Sequence, residues 1–165
     1  MKAHPDVLAA LHDAHNAEAT AEAKFHLQEH AFKDGDMKLP KLAKWFHKRH
    51  QEAYDRQHDL RGTIMEYGGK IATKLGDVSY SDDPKEALEK ACETLDGLAA
   101  AHQAVHDTTK DVMKDMDGEE KAYHRGILEE HRDTVQDLYD TYRKGEKKQR
   151  LLRDLGPALF KLKHS

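Results

Sequence analysis

Residues 8–32 read LAALHDAHNAEATAEAKFHLQEHAF, and the spacing within this stretch decides the fold. Leu8, Leu11, His15, Glu18, Glu22, Phe25, Glu29 and Phe32 follow one another at intervals of three or four residues. That is the repeat of one face of an α-helix. The two ends of the face are apolar and its centre is His and Glu. The stripe of a helix this long is buried against other helices, so polar side chains are carried into an interior where each needs a partner.

The same design recurs along the chain. A second stripe runs Leu42, Phe46, Arg49, Glu52 beside Ala53, Arg56, Leu60, Ile64 and Tyr67. A third runs Leu88, Cys92, Leu95, Ala99, His102, Val105 beside His106, and Val112, turning polar only past its centre. A fourth runs Tyr123, Ile127, Glu130 beside His131, Thr134, Leu138 and Tyr142. Pro5, Gly35 with Pro40, Gly68-Gly69, Ser81-Asp82-Asp83-Pro84, Gly118, Gly145 and Gly156-Pro157 punctuate the chain. Proline at the first turn after an Asp or Ser cap, with Glu86 following, is a helix start. The expected elements are helices at 5–33, 39–67, 84–115 and 119–144. A short amphipathic C-terminal helix follows at 147–162, from Leu151, Leu152, Leu155, Leu159, Phe160 and Leu162. The first and third connections are short, which makes their helices antiparallel neighbours. The second is about 14 residues, including Asp77-Val78-Ser79-Tyr80, and can span the length of a bundle. The reading is an all-α chain, residues 1–165 forming one four-helix bundle with an up-down-down-up path and one long crossover.

Composition supports this and removes other classes. Leu, Val, Ile and Phe together make only 29 of 165 residues, a level at which disorder is a live alternative. Against disorder, 31 acidic residues nearly cancel 27 basic ones, and strong helix formers dominate. Val and Ile are too scarce for a large sheet. A net charge of −4 and a pI near 6.3 exclude a global nucleic-acid-binding field. With a mean hydropathy of −0.93, no run reaches the about 20 apolar residues of a membrane span. Met1 to Ala10 has no apolar signal-peptide core, which points to a cytoplasmic protein. A single cysteine, Cys92, rules out an intramolecular disulfide and a Cys-cluster zinc site.

Thirteen histidines and the mid-helix acids are the chemical signal. Glu18, Glu52 and Glu130 lie near the middles of their helices, and Glu52/Asp55 and Glu130/Asp133 are i, i+3 pairs. Inward carboxylates with i, i+3 pairs on two helices are how four-helix bundles build di-metal sites. The competing reading pairs these acids with Arg49, Arg56 and Arg132, or leaves them in water. With the carboxylates at one level and a rise of about 1.5 Å per residue, His12, His15, His58, His102, His106 and His124 fall towards one end. His26, His30, His47 and His50 fall towards the other. His26/His30 and His102/His106 are i, i+4 pairs and His47/His50 is i, i+3. Such spacings chelate zinc, copper or iron. The secondary metal candidates are therefore His47, His50, His102, His106 and His131.

Order and spacing resemble one family. Leu11 through Glu18 to Phe25, Phe32-Lys33, Phe46-His47, Glu52, Gly68-Gly69, Leu75-Gly76-Asp77, Asp82-Asp83 with Glu86-Ala87-Leu88, and Leu95-Asp96-Gly97 together resemble bacterioferritin. The match runs over most of residues 5–97 with one insertion near Pro40, and is loose beyond residue 100. The resemblance implies a ferritin-like fold, a di-iron ferroxidase centre, iron storage and self-assembly into a homo-oligomer, in the family a 24-subunit shell. Carried over residue by residue, it places metal ligands at Glu18, Glu52 and Asp55 (where the family has His). The third-helix glutamate falls near Thr94 or Leu95, with Glu93 adjacent as the candidate. The fourth-helix Glu-x-x-His is absent; Glu130 with Asp133 keeps its i, i+3 spacing, and His131 is held in reserve. The haem-binding methionine falls on Ala53, so no haem is expected. Phe25 stands where the family has a tyrosine. The altered ligands imply at most slow Fe(II) oxidation. The alternative is a non-catalytic ferritin-like structural or metal-buffering protein with a His-rich interior. A DNA-binding mini-ferritin fits less well because of the apolar C-terminal segment. The basic run from Lys144 to Arg150 reads as a solvated helix end.

Overall fold

The computed structural model describes residues 3–164, the side chains of Leu159, Leu162 and Lys163 excepted. The sequence reading of Leu159 and Leu162 therefore lies outside the described residues. Four helices follow in order: α1 (Pro5–Asp34), α2 (Pro40–Glu66), α3 (Pro84–Met113) and α4 (Gly118–His164). Three of them begin on the expected proline. His4 caps α1 by accepting the Asp6 N–H on its Nδ1 at 3.1 Å. Asp83 caps α3 by accepting the Lys85 N–H at 3.3 Å.

The crossover threads along α1. The Lys74 amide donates to Asn16 Oδ1 and the Gly76 amide to Thr20 Oγ1, both at 3.0 Å. Higher up, Gln28 makes two bonds to the Ser81 backbone, at 2.7 and 3.0 Å. These contacts climb from residue 16 to residue 28, so the chain travels the length of α1 before α3 starts at the far end. The path is up-down-down-up. At the lower end the His4 amide donates to His124 Nε2 at 3.1 Å, and His124 Nδ1–H in turn donates to the Glu120 carbonyl at 2.8 Å.

The fourth helix differs from the sequence reading. It does not stop at Gly145 but continues to Gly156, where φ is 77°. Gly145 is inside the helix because it is buried: a Cβ there would stand 2.9 Å from Cys92 Sγ and 3.6 Å from the Trp45 ring. Absence of a side chain lets α4 approach α2 and α3, and does not break the helix. The break comes at Gly156, whose left-handed φ an ordinary residue avoids, with Pro157 next. The separate C-terminal helical piece is thus shorter than expected.

Apolar burial falls into two bodies. The upper one contains Phe25, Phe32, Leu42, Phe46, Leu88, Leu95, Leu138, Leu152 and Phe160. The lower one contains Val7, Leu11, Leu60, Ile64, Val105 and Ile127. Between them lies a layer of buried Glu18, His102 and His131, which is the polar centre the stripes predict. Phe32 is fully buried with its ring 5.9 Å from that of Phe46. Phe32→Ala should lower stability by about 3–5 kcal/mol through lost burial and a residual cavity. Met65→Ala, at a residue that is 66% exposed, should cost less than about 0.5 kcal/mol. Urea midpoints at unchanged m-value check both.

Candidate metal sites

At the waist each helix contributes one residue to a single network: Glu18 from α1, Arg56 from α2, His102 from α3 and His131 from α4. Glu18 is completely buried. Arg56 Nε donates to Glu18 Oε2 at 2.5 Å, and His102 Nε2 donates to the same oxygen at 2.8 Å. His102 Nδ1 stands 2.8 Å from His131 Nδ1. Burial, and then the proximity of His102, push the His131 imidazole down to about 3, so it is neutral. A neutral His131 serves this contact as donor or acceptor according to the charge on His102. Nearby, Arg61 Nε donates to His15 Nε2 at 2.9 Å, and burial holds His15 below its ordinary value.

The other expected carboxylates do not join this network. Glu52 turns to Arg49 Nη2 at 2.9 Å, one helical turn away. Asp133 lies 3.5 Å from Arg132. Asp55, Glu93 and Glu130 are exposed. The Glu130 carboxyl is nonetheless raised, first by the surrounding protein and then by the charge of Asp59. Of the histidine candidates, His102 faces inward, while its i+4 neighbour His106 turns out to Asp107 at 3.0 Å. Cys92 is buried beneath Gln149, which donates to its Sγ at 3.0 Å, and burial lifts the thiol to about 11; it is no nucleophile.

Two irons need several inward carboxylates. Here one buried carboxylate already has a guanidinium and an imidazole on Oε2. The feature that would suit a cation is Glu18 Oε1, which is buried without a hydrogen-bond partner. Among the described residues no three of Glu18, Glu52, Asp55, Glu93, Glu130 and Asp133 bring ligand atoms within 4.8 Å of one another. As the side chains stand, the waist fits an internal ion pair and not a carboxylate-bridged pair of irons. Ala53, at the position where the family's haem ligand would fall, is packed in the core.

Chelating geometry occurs instead on the α1–α2 face. Glu29, His47 and His50 bring ligand atoms to within 4.8 Å of one another. Both Glu29 carboxylate oxygens lie 3.0 Å from His47 Nδ1. His50 Nδ1 is 4.0 Å from Glu29 Oε1, and His50 Nε2 is 3.5 Å from Glu22 Oε1. His50 Nδ1 is buried and has no hydrogen-bond partner. Burial, followed by neighbouring His26, keeps His50 below its ordinary value and thus neutral, the form that ligates metal. An ion with bonds of about 2.0–2.2 Å holds its ligands at most about 4 Å apart, so a small rotation of His50 closes the set. His47 and His50 were legible as an i, i+3 pair. Glu29 was missed as a ligand because it reads as one more member of the α1 stripe between Phe25 and Phe32. The antiparallel α1–α2 register, which sets Glu29 opposite His47, is the signal that could have found it.

Two outcomes follow for the waist. Arg56→Met leaves Glu18 buried and uncompensated and should destabilise by about 3–5 kcal/mol, whereas the double change Glu18→Gln/Arg56→Met should recover most of that loss; a double-mutant cycle in urea measures it. The unfolded chain protonates His131 near 6.5 and the folded chain only near 3. Its stabilising contribution is therefore complete above the upper value and is lost as pH falls between the two. His131→Gln should remove a stability slope of up to about 1.4 kcal/mol per pH unit in that window; an unchanged slope means the imidazole is not held neutral.

No protein-family profile and no curated protein sequence matches the chain. Among solved structures it is similar to Rhodobacter capsulatus bacterioferritin, described with a metal-free dinuclear site and a haem iron. The two superpose with a TM-score of 0.86 at 20% identity, over 100% of this chain and 96% of that one. One residue in five shared, with the backbone path preserved end to end, places this chain on the ferritin-like four-helix bundle of bacterioferritin.

Proposed function

We propose that the chain is a ferritin-like metal-binding protein that takes up iron(II), or a neighbouring divalent transition ion, for storage or buffering. The observation that carries this reading is the convergence of Glu29, His47 and His50 with an unpartnered, buried His50 Nδ1 at its edge. Two imidazoles and one carboxylate with open positions are a ligand set used for iron(II) and, with other geometry, for zinc. His47 is about half exposed, at 49%, so water and exchanging ions reach the site. Protein side chains here would hold the ion and leave its remaining positions to solvent. No redox step is assigned to them.

The ferritin-like fold supports self-association into a homo-oligomer, with a closed shell as its largest form. Exposed Tyr54, Met65, Leu75 and Tyr80 supply apolar surface for such contacts. No helix among the described residues is long and apolar enough to cross a membrane. A reducing, cytoplasmic setting suits iron(II) and the free Cys92.

A second reading, slow Fe(II) oxidation at the waist, is favoured by one observation, the unpartnered Glu18 Oε1. The two readings separate cleanly. Anaerobic Fe²⁺ and Zn²⁺ titrations of untagged protein should show binding weakened about tenfold or more by Glu29→Ala and by His47→Ala. Unchanged binding in both variants would overturn the first reading. Ferric absorbance after oxygen is admitted should appear at the same rate in the parent and in Glu18→Ala and Glu52→Ala. A slower rate in those variants would instead support oxidation at the waist.

A further inference from the structure

We infer that His26 and His30 form a second divalent-cation site on α1, with Asp34 as its positioning residue. It adjoins the Glu29–His47–His50 group but uses none of its ligands. His26 and His30 are one helical turn apart, and their Nε2 atoms stand 3.1 Å from each other. Two lone pairs cannot face each other at that distance, so in the ion-free chain one ring N–H lies between them, a place that a cation can take over. The roles can be assigned from the far side of His30. Its Nδ1 is 3.0 Å from Asp34 Oδ2, and an ionised carboxylate only accepts. His30 Nδ1 therefore carries the hydrogen, and in the neutral ring Nε2 presents its lone pair to His26. This is the carboxylate–histidine arrangement that orients metal-bound imidazoles and raises their basicity.

The separation also fits. Two nitrogens bound at about 2.0–2.1 Å to one ion are about 2.9–3.4 Å apart between right-angle and tetrahedral geometry. His26 is held from its other side, its ring stacked on His50 with centroids 4.4 Å apart and planes 8° from parallel. The α1 C-terminus at Asp34 adds the negative end of the helix dipole. Exposure of the pair leaves the remaining coordination positions to water. Two imidazoles without a bound carboxylate favour Cu²⁺, Ni²⁺ and Zn²⁺ over Mg²⁺ or Ca²⁺.

The test is calorimetric titration of full-length, untagged protein with Ni²⁺, repeated with Cu²⁺ under electron paramagnetic resonance to count nitrogen ligands. The parent should bind two equivalents, His30→Ala one and Glu29→Ala one. Asp34→Ala should keep two equivalents but weaken the second about 10- to 100-fold. Because His30 and Asp34 are about half exposed or more, at 51% and 63%, their variants should keep the parent's circular dichroism and melting temperature. If His30→Ala binds as the parent does, the site does not exist. One equivalent in the parent, lost in Glu29→Ala alone, also overturns it and leaves the first site standing. One equivalent lost in His30→Ala alone supports this site and removes the other. No binding at all removes both.

Discussion

The buried contact between Glu18 and Arg56 is the constraint around which the bundle is arranged. A carboxylate with no solvent exposure loses its hydration, and that loss costs several kcal/mol unless a cation and further donors replace the water. Arg56 supplies the cation and His102 a second donor on the same oxygen. Since the participants come one from each helix, any helix sliding by a turn would strand a charge or an unpaired polar nitrogen in a dry interior. The network therefore fixes the relative heights of the four helices. Little net stability needs to come from the pair itself. That comes from the apolar bodies above and below it, whose Phe, Leu and Ile side chains are almost entirely removed from water.

This division of labour accounts for the low content of large apolar residues. Two short apolar bodies, each spanning a few turns, suffice when the charge in the polar layer between them is paired, as Glu18 is by Arg56. Ala14, Ala21, Ala53, Ala87, Ala91 and Ala99 fill buried positions, and Gly145 does the same where α4 lies against Cys92 and Trp45. Small residues at these points keep helix separation short without large side chains, so the chain can be charged over most of its surface and still close.

The fold was legible because its signals are local. Prolines at helix starts, a long polar crossover and a three-four repeat with apolar ends need no knowledge of partners. Gly145 was misleading for the same reason: a glycine in sequence says only that a side chain is absent, and whether that breaks a helix or admits a neighbour is a tertiary matter. The site was less legible. Glu52 and Glu130 have the spacing of ligands, but spacing does not say whether a carboxylate turns inward or toward the arginine one turn away, as Glu52 does toward Arg49. The grouping of His26, His30, His47 and His50 at one end followed from helical rise and antiparallel order alone. What went unread was Glu29 as their acidic partner, because it was absorbed into the α1 stripe between Phe25 and Phe32 and not compared with His47 across the antiparallel register.

Electrostatics explains why the two polar regions differ in what they can accept. At the waist the negative charge of Glu18 is already met by a guanidinium on the same oxygen, so an incoming dication would gain half a carboxylate and face a fixed positive charge in a medium of low dielectric. It would also have to shed its own water to enter. On the α1–α2 face, Glu22, Glu29 and Asp34 form ion pairs only with histidines among the described residues, Glu22 also accepting from the Gln57 amide. No Lys or Arg ion-pairs with those three carboxylates among the described residues, and partial exposure lets an ion keep some of its water. A cation at the edge of the bundle would therefore meet less opposing charge and less desolvation than one at its centre. The same buried pair that secures the fold leaves the waist with one engaged carboxylate, while the acid–histidine contacts lie on the face beside it.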